Sequence, residues 1–513
     1  MTIHRSRLPS LELPAVPIGE LVFAPVAADP EAVAMIDGST GTVWTRQALH
    51  DAAARLAGGL AADGIGPGSV VALMAANSPS YAVVFHAIAR AGATVTTINP
   101  TYGADEVRYQ LGDADAVRLI VDAAFVDTAR EAIRDTRVTR LIAIGEADGV
   151  APLESLYAEP IEQVDVDVHQ DVVVMPYSSG TTGLPKGVML THANLVANVL
   201  QVNATLAGQG DEACLAVLPF FHIYGMQVPM NAALAEGTRV VTMPRFDMQK
   251  ALSLIAEHRL TLVYAVPPMV LGFAKSPLVD GHDLSSLRKV VSGAAPMGIE
   301  LTEEAAARIG CAVVQAYGMT ELSPVSHCTH ALHGRGGSSG VIVPDTECRL
   351  VDEHGVDVAD GQTGELWVRG PQVMKGYLNN ERATRETLTE DGWLRTGDLA
   401  RVDEDGHFYL VDRLKELIKV KGFQVPPAEL EALVVSHPAV ADVAVIGVPD
   451  EQAGERPKAF VVLKPETTLS ADALKAFVAE HVATYKRLSE VVFIDAIPKS
   501  ASGKILRRVL RDA

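Results

Sequence analysis

Twice along this chain, amphipathic helical stretches alternate with short β-branched runs, and that alternation restricts the fold to helices laid on parallel sheets. In the first series, from about Trp44 to Gly145, residues 46–62 place Leu49, Ala53, Leu56 and Leu60 on one face, with Gly64 and Gly66 as stops. Strands are expected at Ser69 to Met74, Thr94 to Ile98 and Val117 to Val121, and helices at Tyr81 to Ala91 and around Glu106 to Gly112. A second series starts at Asp171 and runs to about Ala316, with strands near Ala213, Arg239, Leu262, Lys289 and Ala312. Ligands of such sheets sit where loops leave the C-terminal ends of strands.

From Gly340 to Asp412 the texture changes to short β-like runs, with Asp391-Gly392 and Asp405-Gly406 as hairpin signals. This part reads as a small β-barrel or twisted sheet. A boundary is expected at Asp412 to Lys415, after which helices (Pro427 to Val435, Ala471 to Val482) and strands (Val440 to Val445, Ala459 to Leu463, Val491 to Ile494) suffice for a small domain. The expectation is therefore an α/β protein: residues 1–412 with two α/β sheet subdomains plus a small β-barrel, and residues 413–513 as a mobile α+β domain. A chain of 513 residues is too long for one ordinary core.

Composition narrows the partners. A formal charge of −20 argues against nucleic acid or an anionic membrane surface, which require a basic footprint. An anionic substrate must then find a local cluster of Lys and Arg. The four cysteines have no metal-ligand spacing, no apolar run reaches the length of a membrane span, and the stretch MTIHRSRLPSLELPAVP has no continuous apolar region of the kind a secretory signal needs. A cytoplasmic protein, monomeric or weakly dimeric, is expected.

The stretch with the most chemistry is Tyr177 to His192, YSSGTTGLPKGVMLTH. Ser178, Ser179, Gly180, Thr181, Thr182 and Gly183 follow an apolar strand-like run, and Lys186 follows them. Glycines let backbone N–H groups approach an anion, hydroxyls add donors, and Lys186 adds a mobile charge. Lys186 is followed by Gly187 rather than Ser or Thr, so this is not a Walker A loop. The whole string resembles the phosphate-binding loop of the adenylate-forming superfamily, which includes acyl-CoA synthetases, 4-coumarate:CoA ligases, firefly-type luciferases and peptide-synthetase adenylation domains.

Further matches follow in order. Gln315, Ala316, Tyr317, Gly318, Met319, Thr320 and Glu321 resemble the family's adenine and α-phosphate segment. The resemblance implies that Tyr317 stacks on adenine, Thr320 donates to the α-phosphate and Glu321 holds Mg²⁺. Arg395-Thr396-Gly397-Asp398 is similar to the ribose-binding motif, with Arg413 fifteen residues on. Read alone, the first of these is as much a helix start, and the second a turn aspartate. The segment Asp412 to Glu431 resembles the hinge and the loop after it. By resemblance Lys415 is the hinge, Lys419 and Gln424 face the acyl-adenylate, and Lys421 and Gly422 contact CoA. Pro498 to Lys504, PKSASGK, resembles the loop of the catalytic lysine, here Lys504.

The acyl pocket implied by the resemblance is shaped by Tyr224, Ala294, Gln315, Ala316, Gly318, Pro324 and Val325, and Arg245 matches a residue that contacts the CoA nucleotide. All the pocket residues are uncharged, which disfavours an amino-acid substrate, since its ammonium would be buried unpaired. Tyr224 suits a para-hydroxyl, and Ala316 stands where many relatives have Gly. Leu366-Trp367-Val368 departs from the Ile-Cys-Ile usual in plant 4-coumarate:CoA ligases. The implied activity is ATP- and Mg²⁺-dependent ligation of an aromatic carboxylic acid to coenzyme A through an acyl-AMP. Medium-chain fatty acids, a luciferase-like oxygenation and a non-catalytic nucleotide-binding role are the alternatives.

Overall fold

The structure is a computed structural model, which describes residues 2–178, 185–206, 212–295, 297–329, 335–359, 361–421, 423–450, 453–500 and 503–511. Its first sheet has eight strands, in the order Gly376–Tyr377, Lys186–Thr191, Val172–Ser178, Thr94–Thr97, Val70–Met74, Arg118–Asp122, Arg140–Ile144 and Ala151–Pro152. The first two join antiparallel and the rest run parallel.

The second sheet has nine strands, with Lys289–Ser292, Leu262–Ala265, Ala213–Ala216, Arg239–Thr242 and Val33–Asp37 parallel at its centre. Ala312–Gly318 extends it in parallel, and Val325–Cys328 turns back antiparallel beside it. The sheets do not divide the chain where the alternation suggested. Val172–Ser178 completes the first sheet rather than opening the second, while Val33–Asp37 from the start of the chain joins the second. Alternation marks elements, but sheet membership is decided by register and burial between distant segments.

The helix Pro79–Arg90 shows what the pairing of sheets demands: residues 79 and 81–89 are all buried, as befits a helix apolar on every side. It packs on Arg46–Ala62, which Thr45 caps through its hydroxyl to Ala48 N at 3.1 Å. The glycines inside Arg46–Ala62 serve close packing. A Cβ at Gly59 would collide with the Leu156 carbonyl oxygen, and one at Gly58 with that of Glu159.

A third, antiparallel sheet runs His4–Arg5, Glu347–Val351, Gly364–Arg369, Leu394–Val402 and Phe408–Arg413. Asp405-Gly406 makes the last hairpin, with Gly406 N bonded to Asp403 O at 3.0 Å. Beyond it, Phe423–Val425, Ile418–Val420, Gly454–Leu463, Val440–Asp450 and Glu490–Phe493 form a fourth sheet with Pro427–Val435 and Ala471–His481. Its core, from Ile418 to Leu488, is separate from that of the first three sheets. A large N-terminal domain thus carries a smaller α+β C-terminal one. Among the described residues no helix is long and apolar enough to cross a membrane.

Alanine at a mid-helix glycine ordinarily gains about 1 kcal/mol, but collision with fixed backbone costs about 3 kcal/mol. Gly59→Ala should therefore unfold at lower temperature than the parent. Gly112→Ala, in Ala104–Asp113 with open space around its Cβ position, should match or exceed the parent in the same thermal melt.

Candidate functional site

The strand Val172–Ser178 and its antiparallel return Lys186–Thr191 bring Ser178 opposite Lys186. Ser179, Gly180, Thr181, Thr182 and Gly183, between them, lie outside the described residues. Ser178 Oγ donates to Glu321 Oε1 at 3.1 Å, and Tyr377 Oη donates to the same oxygen at 2.8 Å. Lys186 Nζ stands 4.1 Å above the Tyr377 ring, a cation–π contact that orients the ammonium. Glu321 belongs to the short turn Thr320–Leu322, buried with Thr320. Tyr377 escaped the sequence reading because nothing local distinguishes it. Its role comes from an edge strand that pairs with Lys186–Thr191.

A second cluster lies where the nine-stranded sheet meets the antiparallel one. Tyr317 Oη donates to Asp398 Oδ2 at 2.7 Å, and Arg413 Nε lies 3.2 Å from Oδ1. Arg413 faces Asp398 across the ladder, so strand pairing presets the ion pair. Thr396 Oγ1 accepts from Asp398 N at 3.0 Å, and Glu365 Oε1 from Gly397 N at 3.1 Å, fixing the turn. Burial, with Asp398 adding, pushes the Tyr317 hydroxyl well above its ordinary range, so it remains a donor.

Lys504 lies near enough to Asp398, Arg413 and Glu321 for their charges to act on it. Burial pushes its ammonium down to about 8; Arg413 adds to that, while Asp398, Glu416 and Glu321 oppose it. Ser500 N donates to Lys504 O at 2.8 Å and Lys504 N to Ser500 Oγ at 3.1 Å; Ala501 and Ser502 lie outside the described residues. Gly503 adopts a φ of +80°, and a Cβ there would lie 3.1 Å from Val266 Cγ2. The loop of the small domain therefore docks against the large one where only glycine fits without adjustment.

Of the residues expected to line an acyl pocket, Tyr224 is buried beside the strand Lys289–Ser292. Its ring packs against Gly293, where a Cβ would come within 2.9 Å, and its hydroxyl donates to Val291 O at 3.1 Å. That hydroxyl is thereby committed as a donor but keeps acceptor capacity. His222 caps the helix Ile223–Met226, accepting from Tyr224 N at 3.3 Å. Burial, with the nearby Lys504 charge adding, lowers its imidazole to about 4, so it is neutral. The Gln315 side chain is bonded at both ends to Met297: its Oε1 accepts from Met297 N at 3.0 Å and its Nε2 donates to Met297 O at 3.1 Å, which leaves one donor and one acceptor position. Ala294 holds a φ of +71°; Ala316 pairs with Cys328; Pro324 and Val325 are buried beside Gly318.

Other expected residues stand apart. Lys419 and Gln424 face each other across the hairpin Ile418–Val420 to Phe423–Val425, both exposed. Lys421 is exposed with a φ of +50°, its N–H bonded to Ala453 O at 2.7 Å. Lys415 and Arg245 are also exposed, and Gly422 lies outside the described residues.

The family model described as AMP-binding enzyme matches residues 22–378, and that described as AMP-binding enzyme C-terminal domain matches residues 429–504. A 4-coumarate--CoA ligase 3 of Oryza sativa subsp. japonica is 43% identical, the match covering 100% of this chain and 95% of the relative. A 4-coumarate--CoA ligase 1 of Petroselinum crispum is 40% identical over 99% of this chain and 96% of its own. Among solved structures, the anthranilate CoA ligase AuaEII in complex with anthranoyl-AMP superposes with a TM-score of 0.90 at 28% identity, covering 98% of each chain. ATP-bound MatB from Rhodopseudomonas palustris gives 0.88 at 29% identity, covering 97% of this chain and 99% of its own.

The buried amine of Lys504 should lose its proton well before an ordinary lysine, whose pKa is about 10.4. Competitive amine labelling of the ligand-free protein across pH should show Lys504 reactivity rising through about 8. A rise only above pH ~10 would place Lys504 in open solvent instead.

Proposed function

The chain belongs to the AMP-binding enzymes, and on that premise we propose that it joins a cinnamate- or 4-coumarate-type acid to CoA in two steps at one site. Its reaction class is AMP-forming acid–thiol ligation, with ATP and CoA as co-substrates. The observation that supports the residue assignments is the position of Lys504, near enough to Glu321 of the Ser178–Glu321–Tyr377 cluster and to Asp398 and Arg413 of the Tyr317–Asp398–Arg413 cluster for their charges to act on it.

A carboxylate is a poor acyl donor because it would have to expel oxide. In the first step the acid's carboxylate oxygen attacks the α-phosphorus of ATP, forming the mixed anhydride and releasing pyrophosphate. Two anions must approach, so the barrier is charge crowding, relieved by fixed cations and donors. Lys186 and the loop from Ser178 to Lys186 hold the triphosphate, Thr320 and Lys504 reach the α-phosphate, Asp398 accepts from the ribose hydroxyls, and Tyr317 stacks on adenine. The donor set suits Mg²⁺: one buried carboxylate, Glu321, with the Ser178 hydroxyl beside it, leaves the remaining ligands to phosphate and water. Among the described residues no group of three or more His, Cys, Asp or Glu forms a closed protein cage. When bound, the ion supplies charge neutralisation at the phosphates.

In the second step the CoA thiol attacks the acyl carbon and AMP departs. Lys419, Gln424, Lys421 and Gly422 serve this step, with Arg245 at the CoA nucleotide. Lys419, Lys421 and Gln424 are exposed in this structure, so the small domain, residues 413–513, rotates about Lys415 to present them. The acid lies with its ring toward Tyr224, whose hydroxyl accepts from a para-hydroxyl while donating to Val291 O.

Loss of Lys504 should cost roughly 3 kcal/mol or more in the adenylation transition state. Lys504→Ala should abolish pyrophosphate release yet leave conversion of supplied acyl-AMP and CoA largely intact, and Lys421→Glu should do the reverse. Equal loss of both half-reactions in Lys504→Ala would overturn this division. A pyrophosphate-release panel should rank 4-coumarate above hexanoate; the opposite order would assign a fatty acid instead.

Tyr377→Phe removes a hydrogen bond to a buried carboxylate while keeping the ring beneath Lys186. A loss of about 1.5 kcal/mol corresponds to roughly tenfold in kcat/KM for ATP, with the KM for the acid unchanged. An unaltered ATP response would remove Tyr377 from the metal–phosphate site.

A further inference from the structure

The structure assigns a positioning role to Asp412: its carboxylate caps a small-domain helix across the Lys415 hinge and so favours the orientation that inserts Lys504. The inference rests on the two-step reading above.

Asp412 lies in the strand Phe408–Arg413, opposite Leu399, and is anchored to the large domain by strand pairing. Its side chain looks the other way along the chain. Oδ2 accepts from Ala428 N at 2.9 Å, in the first turn of Pro427–Val435 on the far side of Lys415. That helix needs a cap from elsewhere. Its N-cap residue is Pro426, which makes no side-chain capping bond, and Pro427 has no N–H, so Ala428 supplies the first open donor. Asp412 fills the role that Ser or Asp would fill from within the helix.

The helix so held also grips the Lys504 loop. Glu431 on the same helix binds Arg507 Nη2 through both oxygens, at 2.6 and 2.8 Å, and accepts from Val445 N at 2.8 Å. Arg507 follows Lys504 by three residues and also donates to Val445 O at 3.2 Å. A continuous path of hydrogen bonds therefore runs from the large-domain strand through Asp412, the capped helix, Glu431 and Arg507 to the turn that carries Lys504. Burial raises the Asp412 carboxyl above its ordinary range, opposed by the Ala428 and Arg413 N–H groups and Arg507. Rotation about Lys415 must break the Asp412 to Ala428 bond, so the bond exists in only one of the two orientations.

A cap that exists in one orientation shifts the balance between them by the strength of the cap. Asp412→Ala should lower the ratio of adenylation rate to thioesterification rate about fivefold, read as pyrophosphate release against conversion of supplied acyl-AMP and CoA. Asp412→Asn keeps an acceptor oxygen for Ala428 N and should recover most of that ratio. Adding Pro426→Ser to Asp412→Ala supplies a cap from inside the small domain. This double variant should regain thermal stability and leave the ratio low, because its cap does not cross the hinge.

Equal loss of both half-reactions in Asp412→Ala, or recovery of the ratio by Pro426→Ser, would show that Asp412 acts only through helix stability. Should Asp412→Ala fail to fold, the ratio in Asp412→Asn and in the double variant decides, each against the parent. Lys504→Ala measured alongside separates the two levels. If it impairs both half-reactions equally, the two-step reading fails; if it impairs only adenylation while Asp412→Ala leaves the ratio unchanged, the positioning role alone fails.

Discussion

Burying a carboxylate is costly unless donors meet it, and this molecule buries two where its sheets converge. Glu321 and Asp398 are 6% and 5% exposed. Glu321 sits just past the nine-stranded sheet and takes its donors from the eight-stranded one, Ser178 and Tyr377. Asp398 belongs to the antiparallel sheet and takes its donor from Tyr317 of the nine-stranded one, with Arg413 alongside. Each carboxylate is thus stable only if two sheets meet in one relative position. The seam that holds the large domain together and the cleft that would take a nucleotide are the same place, because ionised oxygens with hydroxyl neighbours are what a metal-bound phosphate and a ribose require.

The excess of acidic residues sharpens the role of the few cations at the seam. With a formal charge of −20, an approaching polyanion meets repulsion until it reaches Lys186, Arg413 and Lys504. Each of these is held differently. Lys186 rests on an aromatic face, Arg413 is paired in a ladder, and Lys504 arrives from another domain on a turn packed against Val266. Only the last can withdraw without unmaking the large domain.

Much of the architecture was legible because helix period and β-branched runs are local signals. The helix Arg46–Ala62 has the bounds read from its leucines, and Pro427–Val435 those read from its prolines. Tyr317 and Asp398 were legible through motifs, and the structure brings them within one hydrogen bond. What was not legible is relational. Nothing in residues 172–178 states that they complete a sheet begun at Val70, since that depends on register with Thr94–Thr97. Tyr377 reads as one more residue of an edge strand until Glu321, distant in sequence, is placed against it. Gln315 reads as a ligand contact by position, and its two bonds to Met297 show only once the chain is folded.

On the two-step proposal, the opposing influences at Lys504 would let one site serve two half-reactions without a separate motor. Burial depresses its amine to about 8, which means that desolvation works against the inserted ammonium and the anions at the seam only partly offset it. A bound triphosphate adds the missing negative charge and favours insertion. Departure of pyrophosphate removes most of it, and the desolvation cost again favours withdrawal. A ligand can shift an orientation only by its differential affinity for the two states, and on this proposal the charge of Lys504 contributes to that difference. A helix cap worth about 1 kcal/mol is then of useful size: strong enough to keep the inserted orientation populated before ATP arrives, and weak enough to yield once the phosphates have gone.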